Sequence, residues 1–257
     1  MLKHKYIIVF FGFLLFSLLI ASFFLEVKWW YFLLVSIGWL AFTIWGSFDI
    51  RSNYFVTTYS SGTQTNKKIA ITFDDGPTPQ TTTVLDVLKQ YKVKATFFCI
   101  GKQIEKHPDI FKRLMAEGHL VGNHSYSHDK GIGFFSTKRI REEITKNDEI
   151  IKQYSEKKTL FYRPPFGVTN PRIARAIVGS GHKVIGWNNR SLDTVITDES
   201  IILKRIKRKV KPGSIILLHD TSSKTAQVLE QLLLFLESKN YLVTPLDELL
   251  NLKAYED

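Results

Sequence analysis

Cysteine is almost missing from this sequence. Cys99 is the single one in 257 residues, so no intrachain disulfide can form. It lies in the apolar run KATFFCIG, a setting for a packed rather than a reactive thiol. A chain without disulfides is compatible with either side of a membrane, so cysteine assigns no compartment. There is no internal repeat and no low-complexity tract. No serine sits in a Gly-x-Ser-x-Gly elbow, which argues against a serine esterase. No nucleic-acid motif accompanies the formal net charge of +11. That excess therefore suits an anionic surface, such as lipid head groups or cell-wall polymer, rather than nucleic acid. Charge itself is nearly absent from the first 50 residues.

What fills those residues is apolar. Tyr6 to Leu25 carries no charge and is long enough to span a bilayer, which takes ~20 residues. Glu26, Val27 and Lys28 separate it from a second uncharged stretch, Trp29 to Phe48. Trp29, Trp30 and Tyr31 at one end and Trp45 near the other suit interfacial belts. A signal peptide followed by a core helix has a related composition. The first stretch is long for a signal core, however, and no small-x-small cleavage site follows it. Residues 1–50 are therefore expected to form a membrane helical hairpin in contact with lipid, with spans at about 6–25 and 29–48. The polar stretch 51–66, RSNYFVTTYSSGTQTN, reads as a tether. Lys3 and Lys5 before the hairpin and Arg51, Lys67 and Lys68 after it would bias both flanks to the cytoplasm.

From Lys67 onward, short apolar runs alternate with segments of helical periodicity. The strand candidates are KIAITF, ATFFCI, HLVGNH, LFYRPP, KVIGWN, SIILLH and YLVTP. Alternation of this kind implies a parallel α/β sheet or barrel, and about seven strands fit a barrel with helices outside. Asp74, Asp75, His124, Arg163, Asn188, His219 and Asp220 each follow an apolar strand. In α/β barrels the C-terminal strand ends build the active site.

Several constellations carry chemistry there. His124 and His128, in NHSYSH, are spaced so that both imidazoles can reach one metal from a helix or tight turn. That spacing alone is weak, since surface or core histidines share it. A carboxylate from another strand end would complete a three-ligand site suited to zinc, cobalt, iron or similar ions. The pair Asp74–Asp75 can supply it, one carboxylate on the metal and its neighbour free as a base. A nearby cation would also relieve their mutual repulsion. An Asp before Gly-Pro is also a common turn former. Arg163, before Pro164 and Pro165, could orient a carboxylate, or be a loop arginine. His219 could act as a general acid, or be structural. In ILKRIKRKVKPG, Ile202 to Gly213, apolar residues take one helical face and bases the other, as on a solvated barrel helix or at an anionic surface.

Taken together, these segments resemble the polysaccharide deacetylases of the NodB-homology type, carbohydrate esterase family 4, over roughly Lys67 to Leu250. TFDDG (Thr72–Gly76), HSYSH (His124–His128), RPPFG (Arg163–Gly167) and LLH (Leu217–His219) are similar to four of the five family motifs, in order. The resemblance implies a distorted (β/α) barrel of about seven strands over residues 67–257. It implies a divalent metal, zinc foremost with cobalt, nickel, manganese or iron as alternatives, held by Asp75, His124 and His128. Asp74 would be the catalytic base, oriented by Arg163. The backbone N–H of Phe166, beside Pro165, would help hold the oxyanion. His219 would protonate the departing amine, and Leu217 would line the acetyl pocket. The fifth motif departs from the family pattern. In GWNNRSLDTV, Trp187 and Asp193 align, and Asp193 is expected to pair with Arg163. Arg190 stands where an acid is common and Thr194 where a tryptophan is common. The implied activity is release of acetate from an N-acetylated surface polysaccharide such as peptidoglycan, by an extracytoplasmic domain. The other outcome is a catalytically impaired glycan-binding barrel. Wall polymers lie outside the membrane, which opposes the charge bias of the hairpin flanks.

Overall fold

A computed structural model describes residues 3–63 and 66–256. Its centre is a parallel sheet. The strands are β1 (Thr58–Tyr59), β2 (Lys68–Asp74), β3 (Thr96–Cys99), β4 (Leu120–Asn123), β5 (Phe161–Tyr162), β6 (Lys183–Ile185), β7 (Asn189–Arg190), β8 (Ile215–His219) and β9 (Leu242–Val243). Their order is β1-β6-β5-β4-β3-β2-β8-β7, with β9 on the early part of β2. Among the described residues β1 and β7, the two ends of this order, do not pair. The sheet is thus a curled half-barrel rather than a closed ring.

The inner strands are buried on both faces, as a parallel sheet covered by helices must be. Alternation then sorts their residues. Ile69, Ile71 and Phe73 of β2 join Phe97, Ile216 and Leu218 in the core under the helices, while Ala70 joins Phe98, Phe161 and Ile215 inside the barrel. Thr72 and Asp74 share the inward parity of Ala70. The covering helices are α3 (Thr81–Gln90), α4 (Gly101–Lys106), α5 (Pro108–Ala116), α6 (Thr137–Ser155), α7 (Pro171–Ile177), α8 (Glu199–Lys209), α9 (Lys224–Ser238) and α10 (Leu246–Leu250). Side-chain caps set the starts of α7 and α8: Asn170 accepts from Arg172 N and Ile173 N ahead of Pro171, and Asp198 accepts from Ser200 N and Ile201 N.

The N-terminal residues form two long helices, α1 (His4–Ala21) and α2 (Trp29–Phe48). Both are long and apolar enough to cross a membrane. Each is apolar all round and largely uncovered by the rest of the chain, with Phe10, Phe13, Leu34 and Ile37 exposed. The first helix stops four residues before the expected end at Leu25. The reversal into α2 consumes that length, with Phe23 N and Leu25 N donating to Ile20 and Ala21 carbonyls.

Of the stretch 51–66 expected to be a tether, the described part up to residue 63 runs along the barrel. β1 adds to β6 in parallel, Thr58 opposite Val184 and Tyr59 opposite Ile185. Ser61 bridges Ser214, and Gly62 N donates to Gly213 O at 2.9 Å. Tyr54 is 2% exposed, packed with Ile7 and Phe11 of α1. The physical reason is the unfilled edge of β6, which recruits whatever extended backbone lies beside it. A two-residue strand is too short to leave a period in the sequence.

Candidate active site

β2 ends at Asp74, and the next residue, Asp75, takes φ +75°. This left-handed turn cancels the alternation that would send adjacent side chains to opposite faces. Asp is among the residues that tolerate it. At Gly76 an added Cβ would collide with the carboxylate of Asp220, so only glycine lets the chain pass. Asp220 is fully buried and accepts from the Thr81 hydroxyl at 2.5 Å. Burial pushes its carboxyl up to about 7, against the Thr81 hydrogen bond.

Arg163, just after β5, is completely buried and crosses the barrel interior. Its Nη1 donates to Asp74 Oδ1 at 2.6 Å and to Thr72 Oγ1 at 2.9 Å. Nε and Nη2 donate to the carbonyls of Ile185 (3.2 Å) and Gly186 (3.0 Å), and the guanidinium lies 3.9 Å from the centre of the Phe98 ring. Burial lowers its pKa, with Asp74 opposing. Four of its five N–H directions are thus used, and one oxygen of Asp74 is fixed while the other lies 3.7 Å from His124 Nε2.

The two histidines come from the loop after β4. It is a turn, not a helix: Ser125 and His128 have φ of +64° and +50°. Asn123 Oδ1 accepts from Ser125 N at 2.8 Å, and Glu143 accepts from both Ser127 N (2.7 Å) and Ser127 Oγ (2.9 Å). His124 Nδ1 lies 2.8 Å from the Arg163 carbonyl. That acceptor requires the proton on Nδ1, so Nε2 is the nitrogen turned toward Asp75. Nε2 of His124 and of His128 lie 3.4 and 3.3 Å from Asp75 Oδ1. The three potential ligand atoms lie within 4.8 Å of one another.

Asp75 Oδ1 is buried without a hydrogen-bond partner. An orphaned carboxylate oxygen facing two imidazole nitrogens fits a divalent cation, and the N, N, O donor set suits zinc and its first-row neighbours. Burial pushes the Asp75 carboxyl up, but contact with His124 and the charges of His124, His128 and His219 outweigh it and hold it below the usual range. Burial, then the charge of His124, lowers His128 to about 4. Both groups are therefore in the deprotonated form that metal binding requires at neutral pH.

His219 closes β8 and stands in register with Asp74. Its Nδ1 lies 2.7 Å from Asp193 Oδ1, and its backbone N donates to Asp193 Oδ2 at 2.7 Å. Asp193 therefore pairs with His219 and not, as expected, with Arg163. The reason is topological: Asp193 follows β7, the neighbour of β8, whereas the carboxylate on Arg163 comes from β2. Burial alone would lower His219, yet the hydrogen bond and charge of Asp193, with Asp74 and Asp75 behind it, raise it to about 8. Burial would raise Asp193, and His219 and the Ser191 hydroxyl hold it down instead.

Phe166 follows buried Pro165 with φ +60°, and its ring lies 4.6 Å from that of His128. Gly167 lies against Trp187, where a Cβ would strike the indole. Trp187 in turn lies 5.5 Å from the Arg163 guanidinium and 5.7 Å from that of Arg190. Leu217, opposite Thr72 across the β2–β8 pair, is buried on the inward face. Thr194 joins Asp193, His219 and Lys224 in lining a pocket of about 270 Å³. Thr72 opens the TFDDG motif but was assigned no role there, and Ser191 and Glu143 were not singled out. Thr72 was accessible from parity, two residues before Asp74; Ser191 braces Asp193 from two residues away, whereas Glu143 reaches Ser127 from another element and left no local signal.

The comparisons with known proteins agree with this geometry. Residues 61–185 match the family model described as polysaccharide deacetylase. The peptidoglycan-N-acetylglucosamine deacetylase PgdA of Listeria monocytogenes is 36% identical over 187 residues, 72% of this chain but 39% of PgdA. The chain thus spans well under half the length of that relative. A crystal structure of the Bc1960 peptidoglycan N-acetylglucosamine deacetylase superposes with TM-score 0.73 at 30% identity, covering 77% of this chain and 94% of that one. A pseudoenzyme of the CE4 family from Bacillus anthracis superposes with TM-score 0.70 at 26% identity, covering 75% and 68%. With its half-barrel, its ordered motifs and this relatedness, the chain belongs to the polysaccharide deacetylase family, carbohydrate esterase family 4.

Proposed function

We propose that the chain is a metal-dependent N-deacetylase of a surface polysaccharide, peptidoglycan N-acetylglucosamine or a related glycan, and that α1 and α2 anchor it in the membrane with the barrel outside. The observation that carries this reading is convergence at one mouth. The ends of β2, β4 and β8 bring together a carboxylate bound to arginine, an Asp/His/His ligand set and a histidine bound to a second carboxylate.

Amide hydrolysis needs an activated water, a stabilised oxyanion and a protonated leaving nitrogen. A divalent ion on Asp75, His124 and His128 would supply Lewis acidity and a more acidic water. Asp74 takes the proton of the attacking water, and its salt bridge to Arg163 keeps the carboxylate aimed. The Phe166 N–H donates to the developing oxyanion, a contact of a type worth ~100-fold or more in rate. His219, kept protonated near neutrality by Asp193, gives its proton to the departing nitrogen, a step often worth ~100-fold or more. Leu217 and Trp187 border the acetyl and sugar.

Acetate release from N-acetylated glycan should occur with wild type and not with Asp74→Asn. No acetate from any such glycan with metal bound would defeat the proposal. A second reading, a barrel that binds glycan without turning it over, draws on Arg190 and Thr194 in the altered motif and on the likeness to the pseudoenzyme. The intact Asp74–Arg163 and His219–Asp193 pairs favour the enzyme.

A further inference from the structure

The end of α2 is bonded into the catalytic face. Thr169 N donates to Ser47 O at 2.9 Å, and Thr169 Oγ1 to Gly46 O at 3.4 Å. Thr169 lies three residues after Phe166, so the loop proposed to hold the oxyanion is tied to the last turn of a helix that is long and apolar enough to cross a membrane. Beside this joint, between α2, the end of β7 and α8, is a pocket of about 380 Å³.

Its walls are of two kinds. Ile44, Trp45 and Phe48 of α2 form an apolar side, exposed by 50%, 46% and 70%. Arg190, Arg205 and Lys209 form a cationic side, with Arg51 at the edge. The single carboxylate in the lining, Asp49, is already engaged by Arg51 through Nε and Nη2 at 2.8 Å each. Among the described residues no salt bridge reaches Arg190, Arg205 or Lys209. Arg205 is braced by its Nε on the Arg190 carbonyl at 3.0 Å, which leaves its terminal nitrogens for another acceptor. Loss of water, then the charges of Arg205, Arg208 and Arg51, lowers the Lys209 amine, which marks cations crowded without an anion. Asn188 also lines the pocket, and its side-chain NH2 is buried without an acceptor.

The geometry points to a binding site for the phosphate of a membrane lipid, with the phosphate among Arg190, Arg205 and Lys209 and the hydrocarbon along Ile44, Trp45 and Phe48. Cations without a salt-bridge partner and an amide without an acceptor suit an oxygen-rich anion. The exposed apolar wall requires hydrocarbon, which a free phosphate or an acidic polysaccharide does not bring. Both needs meet at the level where α2 would leave the bilayer, so the site rests on α1 and α2 being in the membrane. Trp187 is the partition: one side borders this pocket and the other borders Arg163 and Gly167. A sugar carried on such a lipid phosphate would therefore lie next to the catalytic mouth. That consequence rests in addition on the deacetylase reading.

The test has a binding arm that needs no activity. The full chain with Trp29, Trp30 and Trp39 replaced by Phe, in uncharged-detergent micelles, is titrated with short-chain phosphatidylglycerol, short-chain phosphatidylcholine or inorganic phosphate, and followed by the fluorescence of the remaining Trp45 and Trp187. Phosphatidylglycerol should give a saturable, salt-sensitive change, unaltered in Asp74→Asn and in Lys204→Gln, which lies on α8 outside the pocket. The double variant Arg205→Gln/Lys209→Gln should weaken it ~10-fold or more, the expected scale for lost charge-assisted contacts. Arg205→Lys/Lys209→Arg, which keeps both charges, should retain binding and controls for misfolding. Equal binding of phosphatidylcholine, equal binding of inorganic phosphate, or wild-type affinity in the double glutamine variant would overturn the site. A second arm compares acetate release from N-acetylglucosamine linked to a polyprenyl phosphate with release from a soluble N-acetylated oligosaccharide. A preference for the lipid-linked sugar that falls ~10-fold in the double variant assigns the pocket to the substrate's own phosphate. An unchanged ratio assigns it to a bulk lipid headgroup. Loss of acetate release from both substrates with lipid binding intact would count against the deacetylase alone.

Discussion

At Asp75 the backbone enters the left-handed region, and two adjacent acids that a regular strand would separate come to face one mouth. Their environments then divide them. Asp74 is held by a guanidinium and Asp75 faces two imidazoles. Asp75→Asn is expected to lose metal affinity in calorimetric titration, while Asp74→Asn keeps metal and loses turnover by ~100-fold or more. Arg163→Ala leaves Asp74 buried without its cation and should lower stability by ~3–5 kcal/mol, read from denaturant unfolding. His219 carries the pH dependence. With its pKa raised from 6.5 to about 8, its pairing with Asp193 stabilises the fold fully below pH 6.5, and that contribution is lost as pH rises through about 8. The acid form is also the active one in the proposed reaction, so activity should fall on the alkaline side. Asp193→Asn removes the largest raising influence and should move that alkaline limb to lower pH, measured as kcat against pH. An unmoved limb would assign it to another group.

Elements place these residues through strand ends and the short loops after them. β2 and β8 are paired in parallel, and their last residues, Asp74 and His219, are register partners. Asp74 and His219 therefore stand side by side because two strands stop at the same height. The joint between α2 and the barrel is the less expected arrangement. Gly46 lies against the Tyr54 ring so closely that a Cβ would collide with it. Gly46→Ala should expel Tyr54 and loosen residues 51–59, which trypsin cutting after Arg51 would report as faster cleavage, with the barrel core still folded. Unchanged cleavage would mean that the tyrosine does not hold this segment.

For the whole molecule, chelation should abolish acetate release and added zinc should restore it, without unfolding the half-barrel, whose core is built of Ile, Leu, Val and Phe rather than of the ligand set. In intact cells an added protease should digest the barrel while leaving α1 and α2 protected. A barrel fully protected until the membrane is opened would refute the outside placement. Charge bias argues for the cytoplasmic side and substrate chemistry for the other, so this measurement decides between them.

The sequence by itself determined the strand–helix alternation, the two apolar helices and the identities of Asp74, Asp75, His124, His128, Arg163 and His219. Each of these is a local signal: a period, a hydropathy run, or a short motif at a strand end. Tertiary structure decided the rest. It paired Asp193 with His219 instead of Arg163, because β7 lies beside β8 and not beside β2. It turned an expected tether into β1, because the edge of β6 was open. It built a cationic pocket from Arg190, Arg205 and Lys209 against the end of α2, although Phe48 and Arg205 are far apart in the chain. Pairing, edges and pockets depend on which elements become neighbours, and no single window of sequence carries that information.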